Sequence, residues 1–264
     1  MQHLPTAFLS HGSPMTALDA GGAGAAWKKF ADALPRPQSI LMVSAHWETE
    51  LPMLSGTEKP ETIHDFSGFP EQLYRIRYNA PGSPDLARRG RELLKAGRQC
   101  AGIDGTRGLD HGAWTPLLHM YPEADVPVVQ LSVQTGLGAK HHLALGQALA
   151  PLADEGVLII GSGHMTHNLR EGFAALRSAN PEARPHAYVT EFQDWVSERI
   201  RARDTDALTD YRRLAPHAAR AHPTEEHFLP LFVALGAAGT DYRPEHLYQE
   251  IALQALAMDA WAFR

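Results

Sequence analysis

Three histidines follow short apolar segments of the sequence, and each stands where a buried strand would end. His11 lies in SHGSP, His46 in SAHWE and His164 in GSGHMTHN. Imidazole is both an acid or base near neutral pH and the commonest metal ligand in proteins. Because the carboxyl ends of strands in an open α/β sheet meet at one edge, where ligands bind, we expect these side chains to converge on a metal site.

A fourth histidine stands in the segment GLDHGAWTP, which resembles a loop entering a helix. Thr115 is the predicted N-cap and Pro116 the predicted first helical residue, since both residue types favour those positions. His111 is therefore expected close to a helix start.

The segment HPTEEHFLP places two imidazoles and two carboxylates around another predicted helix start. Thr224 is the predicted N-cap, and Glu225 and Glu226 suit the positive end of the helix dipole. A protonated His227 would be disfavoured there. A neutral His227, acting as a metal ligand or a base, fits the position.

The sequence contains one cysteine, Cys100, which we predict to be a small buried residue. Imidazole ligands without thiolates suit iron, copper, nickel or zinc, and three protein ligands leave positions open for substrate. A structural zinc site normally fills all four positions, usually with cysteine. The residues therefore favour a catalytic metal site.

The elements that must position these residues alternate between apolar runs and helical patterns. The predicted strands are Thr6–Ser10, Ser39–Ala45, Val126–Val133 and Gly156–Gly161. The predicted helices are Asp85–Arg98, Ala139–Ala153, Thr166–Arg177, Ala187–Arg203 and Glu225–Leu235. This alternation predicts an α/β fold with a mixed, mostly parallel central sheet flanked by helices, and a metal site at the strand carboxyl ends. We expect residues 1–264 to form a single catalytic domain.

Three stretches do not follow this alternation. Glu48–Pro84 is interpreted as a long functional excursion with a possible edge strand at Leu73–Tyr78, and the Ala/Gly-rich Ala20–Ala26 as a mobile loop. The last residues, AMDAWAFR, are expected to contain a final strand.

The composition excludes several classes of protein. Lys and Arg number 24 against 30 Asp and Glu, which gives a net charge of −6 and no basic field for nucleic acid. The sequence lacks a long apolar run, and its start lacks a signal-peptide pattern, so we expect a cytoplasmic protein without a membrane partner. The composition leaves open a homo-oligomer.

Taken in order, the blocks SHGSP, SAHWE, LDHGAWTPL, GSGHMTHNL and HPTEEHFLPL resemble those of the class III extradiol ring-opening dioxygenases. The likeness is greatest to the 4,5-DOPA extradiol dioxygenase branch. It implies an α/β protein with a non-haem Fe(II) site that opens a catechol-type ring beside its two hydroxyls, using O2, to give a muconic semialdehyde. The partners implied are a small-molecule catechol and dioxygen.

The resemblance assigns roles residue by residue. His11, His46 and His227 stand at the positions of metal ligands, with Glu226 as an alternative third ligand. His164 matches the catalytic histidine, a general base close enough to join the metal shell, and His111 matches a histidine on the dioxygen and substrate side.

Two other functions use the same residues. A zinc-dependent hydrolase would activate water at the same histidines, and zinc is also expected to replace iron in purified protein. A non-catalytic metal-binding protein on this scaffold is the other alternative.

His222 is predicted to bind substrate. Pro223 favours an extended conformation at His222, so this imidazole need not share a face with His227. We expect it to line the cavity and to hydrogen-bond an acidic or hydroxyl group of the catechol. The alternative is a surface histidine that precedes a capped helix.

Overall fold

A computed structural model describes residues 3–178, 180 and 183–264 of the chain. The strands, numbered β1 to β10, are Thr6–Ser10, Ser39–Glu48, Met53–Ser55, Gly102–Asp104, Val128–Val133, Val157–Gly163, Pro244–Tyr248, Ile251–Ala252, Leu256–Ala257 and Ala260–Phe263. The α-helices, numbered α1 to α12, are Gly21–Asp32, Glu71–Tyr74, Pro84–Ala96, His111–Met120, Gly138–Leu149, Pro151–Asp154, Leu169–Leu176, Ala187–Ala202, Thr205–Thr209, Tyr211–Leu214, Ala218–Ala221 and Leu229–Ala238.

Eight of the strands form one twisted sheet in the order β4-β3-β5-β2-β6-β1-β10-β7. The central strands β5, β2, β6 and β1 are parallel to their neighbours in this group. Strands β10 and β7 extend the sheet antiparallel on one side, and β3 pairs antiparallel with β5 on the other. The predicted mixed, mostly parallel sheet is confirmed.

Helices cover both faces of this sheet. Leu41 and Val43 of β2 belong to a core shared with α5, α8 and α12, whereas Ile40 and Met42 belong to a second core shared with α1 and α4. Successive residues of a strand point to opposite faces, so the apolar run of β2 supplies both cores. This burial on two faces holds the carboxyl ends of the central strands in fixed positions.

The strand predictions are confirmed with shifted ends. β2 continues to Glu48, so His46 lies inside the strand, while His11 and His164 directly follow β1 and β6. The final strand is β10, which pairs antiparallel with β1.

Two predictions outside the sheet are wrong. Ala20–Ala26 is not a loop, because α1 begins at Gly21 and buries Trp27 and Phe30 in the core. Leu73–Tyr78 is not an edge strand, because the short helix α2 follows Pro70 and buries Leu73. In both cases burial of a few apolar side chains outweighed the local propensity.

Three predicted helix starts are also wrong. α4 is capped by Asp110 rather than Thr115, with Pro116 in its interior. α7 begins at Leu169 rather than Thr166, because Asn168 is its cap.

The third start is that of α12, which begins at Leu229 rather than Glu225. Thr224 is not its cap, since its hydroxyl donates a hydrogen bond to Oε1 of Glu226, 3.0 Å away. The residues from 223 to 228 form bends and turns, so His227 precedes the helix.

Cys100 is exposed, contrary to the prediction. Among the described residues, every helix is too short or too polar to cross a lipid bilayer.

Candidate metal centre

Three imidazole nitrogens converge at the carboxyl edge of the sheet. Nε2 of His46 lies 3.0 Å from Nε2 of His11 and 3.3 Å from Nε2 of His227. All three lie within 4.8 Å of one another. Metal–imidazole bonds of about 2.0–2.1 Å place two ligand nitrogens about 3.0–3.4 Å apart, depending on the bond angle. The spacing of the three nitrogens fits one metal ion.

His11 is held by a chain of two hydrogen bonds that ends at a helix carbonyl left free by a proline. Pro116 has no N–H, so the carbonyl of Gly112 in α4 lacks its helical donor. The Ser162 hydroxyl donates to that carbonyl at 2.5 Å, and Ser162 Oγ lies 3.0 Å from Nδ1 of His11. Because the hydroxyl proton is already used, Oγ accepts from Nδ1–H, which leaves the Nε2 lone pair of His11 free for a metal.

His227 is fixed by β6 and by its neighbour in sequence. Its carbonyl accepts a hydrogen bond from the backbone N–H of His164 at 2.8 Å. A Cβ atom on Gly163 would lie 2.0 Å from that carbonyl oxygen, so this close approach requires glycine. Nδ1 of His227 donates to Oε1 of Glu226 at 2.9 Å, which again leaves Nε2 free.

His46 is the most open of the three, with 22% of its side chain exposed. Its backbone N–H donates to Oγ of Ser44 at 3.2 Å, and the Ser44 hydroxyl donates to Oδ1 of Asp110 at 2.6 Å. Its ring lies 4.0 Å from that of His111, centre to centre. The cluster is therefore most open to solvent at His46.

Asp110 is a fully buried carboxylate beneath the site. Besides Ser44, it accepts hydrogen bonds from Arg107 and from the Gln130 amide, each at 2.7 Å. It also caps α4 by accepting from the N–H of Ala113 at 3.2 Å. A buried carboxylate with this many donors is well satisfied, and it ties β2, β5 and α4 together behind the histidines.

Asp65 links the long excursion to the site. Its carboxylate accepts from the backbone N–H of His111 at 2.9 Å and from Nδ1 of His111 at 2.8 Å. Burial raises the pKa of the Asp65 carboxyl, but the hydrogen bonds and charge of His111 outweigh burial and bring this pKa to about 2. Asp65 is therefore ionised and holds the ring of His111 in one orientation.

The three converging histidines are neutral near pH 7. Burial, followed by the neighbouring imidazoles, lowers the pKa of His11 and of His227 well below the usual value. Burial and then the charge of His111 lower the pKa of His46 to about 4. Neutral imidazoles have lone pairs available, which is the state that binds a metal.

Two more histidines lie against the cluster. The ring of His164 is 5.2 Å from that of His11, and that of His167 is stacked on His227 at 3.4 Å. Burial is the main cause that lowers the pKa of His164 to about 4 and that of His167 to about 2. Within the described chain, Nδ1 of His164 is buried without a hydrogen-bond partner.

His222 is fully buried away from these rings. Its Nε2 donates to the carbonyl of Met165 at 2.8 Å, and its ring packs between Phe192 and Phe228. Contact between His222 and substrate stays a prediction; in this arrangement the ring has no exposed surface.

Sequence reasoning missed Asp65, Asp110 and Ser162. Asp110 directly precedes His111, in a position and of a type that suit an N-cap, so it had a recognisable signal. The only sequence signal for Ser162 is its position two residues before His164. Asp65 lies in the excursion, and no local pattern indicates that it reaches His111.

The LigB family model, described as "Catalytic LigB subunit of aromatic ring-opening dioxygenase", matches residues 5–258. The "4,5-DOPA dioxygenase extradiol" of Beta vulgaris is 44% identical over 250 residues, which cover 92% of this chain and 90% of that protein. The protein of the same name from Escherichia coli K12 is 40% identical, covering 89% and 85%. The crystal structure of an uncharacterized Escherichia coli K12 protein matches with a TM-score of 0.83 at 33% identity, covering 99% of this chain and all of the other.

Proposed function

We infer the reaction from one premise: the chain belongs to the LigB family of aromatic ring-opening dioxygenases. It is an extradiol ring-opening dioxygenase, a metal-dependent enzyme that uses a small molecule and dioxygen. We propose that its substrate is a DOPA-like or related catechol and its product a muconic semialdehyde that contains both atoms of O2. The convergence of three neutral Nε2 atoms within 4.8 Å at an open edge of the sheet carries this proposal.

We propose Fe(II) as the catalytic metal, held by His11, His46 and His227. When bound, Fe(II) acidifies the catechol hydroxyls and carries electron density from the ring to dioxygen. Three neutral imidazoles leave positions open on such an ion, as this chemistry requires. Zn(II) suits the same nitrogens and is expected to occupy them in protein purified in air.

Proton transfer is assigned to His164. Its burial favours the neutral ring, which accepts the proton of a catechol hydroxyl. The same burial destabilises the protonated ring, so His164 returns the proton readily when the ring opens. His167 is the competing candidate because it is stacked on His227 and lies 5.3 Å from the ring of His164.

His111 is assigned to the dioxygen side of the site. Its Nδ1–H is held by Asp65, so Nε2 of the neutral ring carries a lone pair. A protonated His111 would donate a hydrogen bond from Nε2 to developing negative charge. Asp65 thus acts through His111 as a positioning residue.

The proposal is tested by removing the metal with a chelator and reloading the protein without oxygen, with Fe(II) in one sample and Zn(II) in another. We expect the Fe(II) protein to consume dioxygen and catechol in equal amounts and to form a yellow semialdehyde. Ester or amide hydrolysis by the Zn(II) sample, with no oxygen uptake by the Fe(II) sample, would favour the hydrolase. Tight metal binding with neither activity would favour a binding protein.

A further inference from the structure

Strand β2 bulges away from its neighbour β5 where it carries His46. Val43 pairs with Leu131 of β5, whereas the next paired residue of β2 is Glu48, which faces Val133. Between these pairs, four residues of β2 stand opposite one residue of β5, and His46 is among the four. Bulges of this kind bend a strand and re-aim its side chains, and they are frequent next to active sites. The imidazole of His46 therefore owes its direction to the shape of the bulge.

Side chains bind both backbone polar groups of His46 in this bulge. Its N–H donates to Oγ of Ser44 at 3.2 Å, and its carbonyl accepts from Nη2 of Arg107 at 3.3 Å. Both side chains lead to the same buried carboxylate. The Ser44 hydroxyl donates to Oδ1 of Asp110 at 2.6 Å, and Nη2 of Arg107 donates to Oδ2 at 2.7 Å. The two ends of His46 are thus connected to the two oxygens of Asp110.

The guanidinium of Arg107 also contacts the next residue of the bulge. Its central carbon lies 5.1 Å from the centre of the Trp47 ring, within the range of a cation–π interaction. Only 20% of the Arg107 side chain is exposed. A planar guanidinium can stack on a ring while its N–H groups bind acceptors in fixed directions, which a flexible ammonium group does not do. Arg107 therefore binds the bulge by the carbonyl of His46 and by the ring of Trp47.

The backbone that carries Arg107 is braced on both sides. Its N–H donates to Oδ1 of Asp104, the last residue of β4, at 3.0 Å. On the other side, the N–H of Leu109 donates to the carbonyl of Glu61 at 2.8 Å, and the N–H of Ile63 donates to the carbonyl of Leu109 at 2.7 Å. The guanidinium is thus presented to β2 from a fixed loop.

We propose that Arg107 is a positioning residue of the metal centre, which holds the β2 bulge in the shape that aims Nε2 of His46 at the metal. Arg107 acts through the backbone of His46. Because Asp110 directly precedes His111, the same contacts set the spacing of the His46 and His111 rings, 4.0 Å between centres. This inference rests on the proposed ring-opening function and on the proposed role of His46 as a metal ligand.

The test titrates the metal-free protein with Co(II) in the absence of oxygen, because the visible absorption of bound Co(II) changes with its coordination geometry. R107Q should weaken Co(II) affinity by about 10–100-fold, the usual cost of losing a group that orients a ligand. It should also change the absorption spectrum, since His46 is no longer held in one direction. R107K keeps the positive charge without the planar guanidinium, so it should recover only part of the affinity.

Arg199 provides the matched control, because it also binds an aspartate that caps the following helix. Its Nη1 donates to Oδ2 of Asp204 at 3.3 Å, and Asp204 accepts from the N–H of Ala207 in α9 at 3.1 Å. Thermal unfolding should show a loss of stability in both R107Q and R199Q, since each removes a partner of a capping carboxylate. R199Q should keep the Co(II) affinity and the spectrum of the unmodified protein.

An unchanged Co(II) affinity and spectrum in R107Q, or equal changes in R107Q and R199Q, would overturn the proposal. Full recovery in R107K would overturn it too, since positive charge alone would then suffice. If R107Q does not fold, R107K decides the question by the same two measurements.

Failure of the proposed function has a different signature. The unmodified protein loaded with Fe(II) would then consume no oxygen when catechol is added. The Co(II) affinities and spectra of the variants would still decide whether Arg107 positions His46.

Discussion

The two sides of the metal cluster are built differently. His11 follows a central strand and is held by a fully buried, uncharged relay through Ser162 to the carbonyl of Gly112. His227 lies in a turn and is held by the carboxylate of Glu226, which retains 14% exposure. The strand side is fixed by packing, whereas the turn side depends on a charge that solvent can reach. Substitutions on the strand side should therefore act through geometry, and those on the turn side through electrostatics.

The largest effect is expected from removing a ligand on either side. H11A and H227A should each abolish stoichiometric metal binding and all measurable ring opening, because two imidazoles alone hold a divalent ion weakly. Metal content by elemental analysis and activity after Fe(II) loading check this. E226Q is the matched comparison, since it should weaken metal binding without abolishing it. A variant H227A that keeps its metal while E226Q loses it would show that Glu226, not His227, is the ligand on the turn side.

The second-largest loss of kcat is expected from removing His164, which follows β6, and it should exceed the loss from removing His167 in the turn after it. H164A should lower kcat by about 10²–10⁴-fold, the usual range for a general acid or base, and should retain its metal. H167A should reduce kcat less if His167 only supports the ring of His227. A greater loss of kcat in H167A than in H164A, at equal metal content, would transfer the proton-transfer role to His167.

A smaller effect is expected from the relay on the strand side. S162A removes the acceptor that fixes the tautomer of His11 and should weaken metal affinity by about 10–100-fold. T6V is the control, because it also deletes a buried hydroxyl that donates to a helix carbonyl, that of Ala234 at 2.7 Å. Both variants should lose similar thermal stability. The same metal affinity in S162A and T6V would show that the relay does not hold His11.

The smallest effect concerns a buried histidine remote from the cluster. Burial is the main cause that lowers the pKa of His142 to about 4, so the unfolded chain binds its proton between pH 6.5 and 4 while the folded chain does not. The free energy of unfolding of the metal-free protein should fall as pH drops through this window. The contribution of His142 between pH 8 and pH 5 is about 2 kcal/mol.

Urea unfolding at pH 8 and pH 5 measures this contribution. H142Q should have a pH dependence that is smaller by that amount. An unchanged pH dependence in H142Q would assign the acid sensitivity to the histidines of the cluster.

The contrast between the strand side and the turn side of the cluster also explains which features the sequence predicts and which it does not. The central strands and the positions of His11 and His164 directly after two of them follow from apolar runs whose ends are marked by polar residues and glycine, whereas His46 lies inside β2, two residues before its end. Thr224 and two glutamates form a capping pattern, which predicts a start of α12 that is too early. In the structure the carbonyl of His227 instead accepts a hydrogen bond from the N–H of His164, the residue after β6, and the helix begins later. Asp65 reaches His111 across 46 residues of sequence, a distance over which local patterns carry no information.

The most direct test of the account supplies isotopically labelled dioxygen to the Fe(II)-loaded protein with a catechol and determines the mass of the ring-opened product. We predict that both labelled atoms enter the product when His11, His46 and His227 are intact, and that no product forms in H11A or H227A. A product that takes its oxygen from water, or ring opening that persists in both variants, would contradict the assignment of this cluster as the dioxygenase centre.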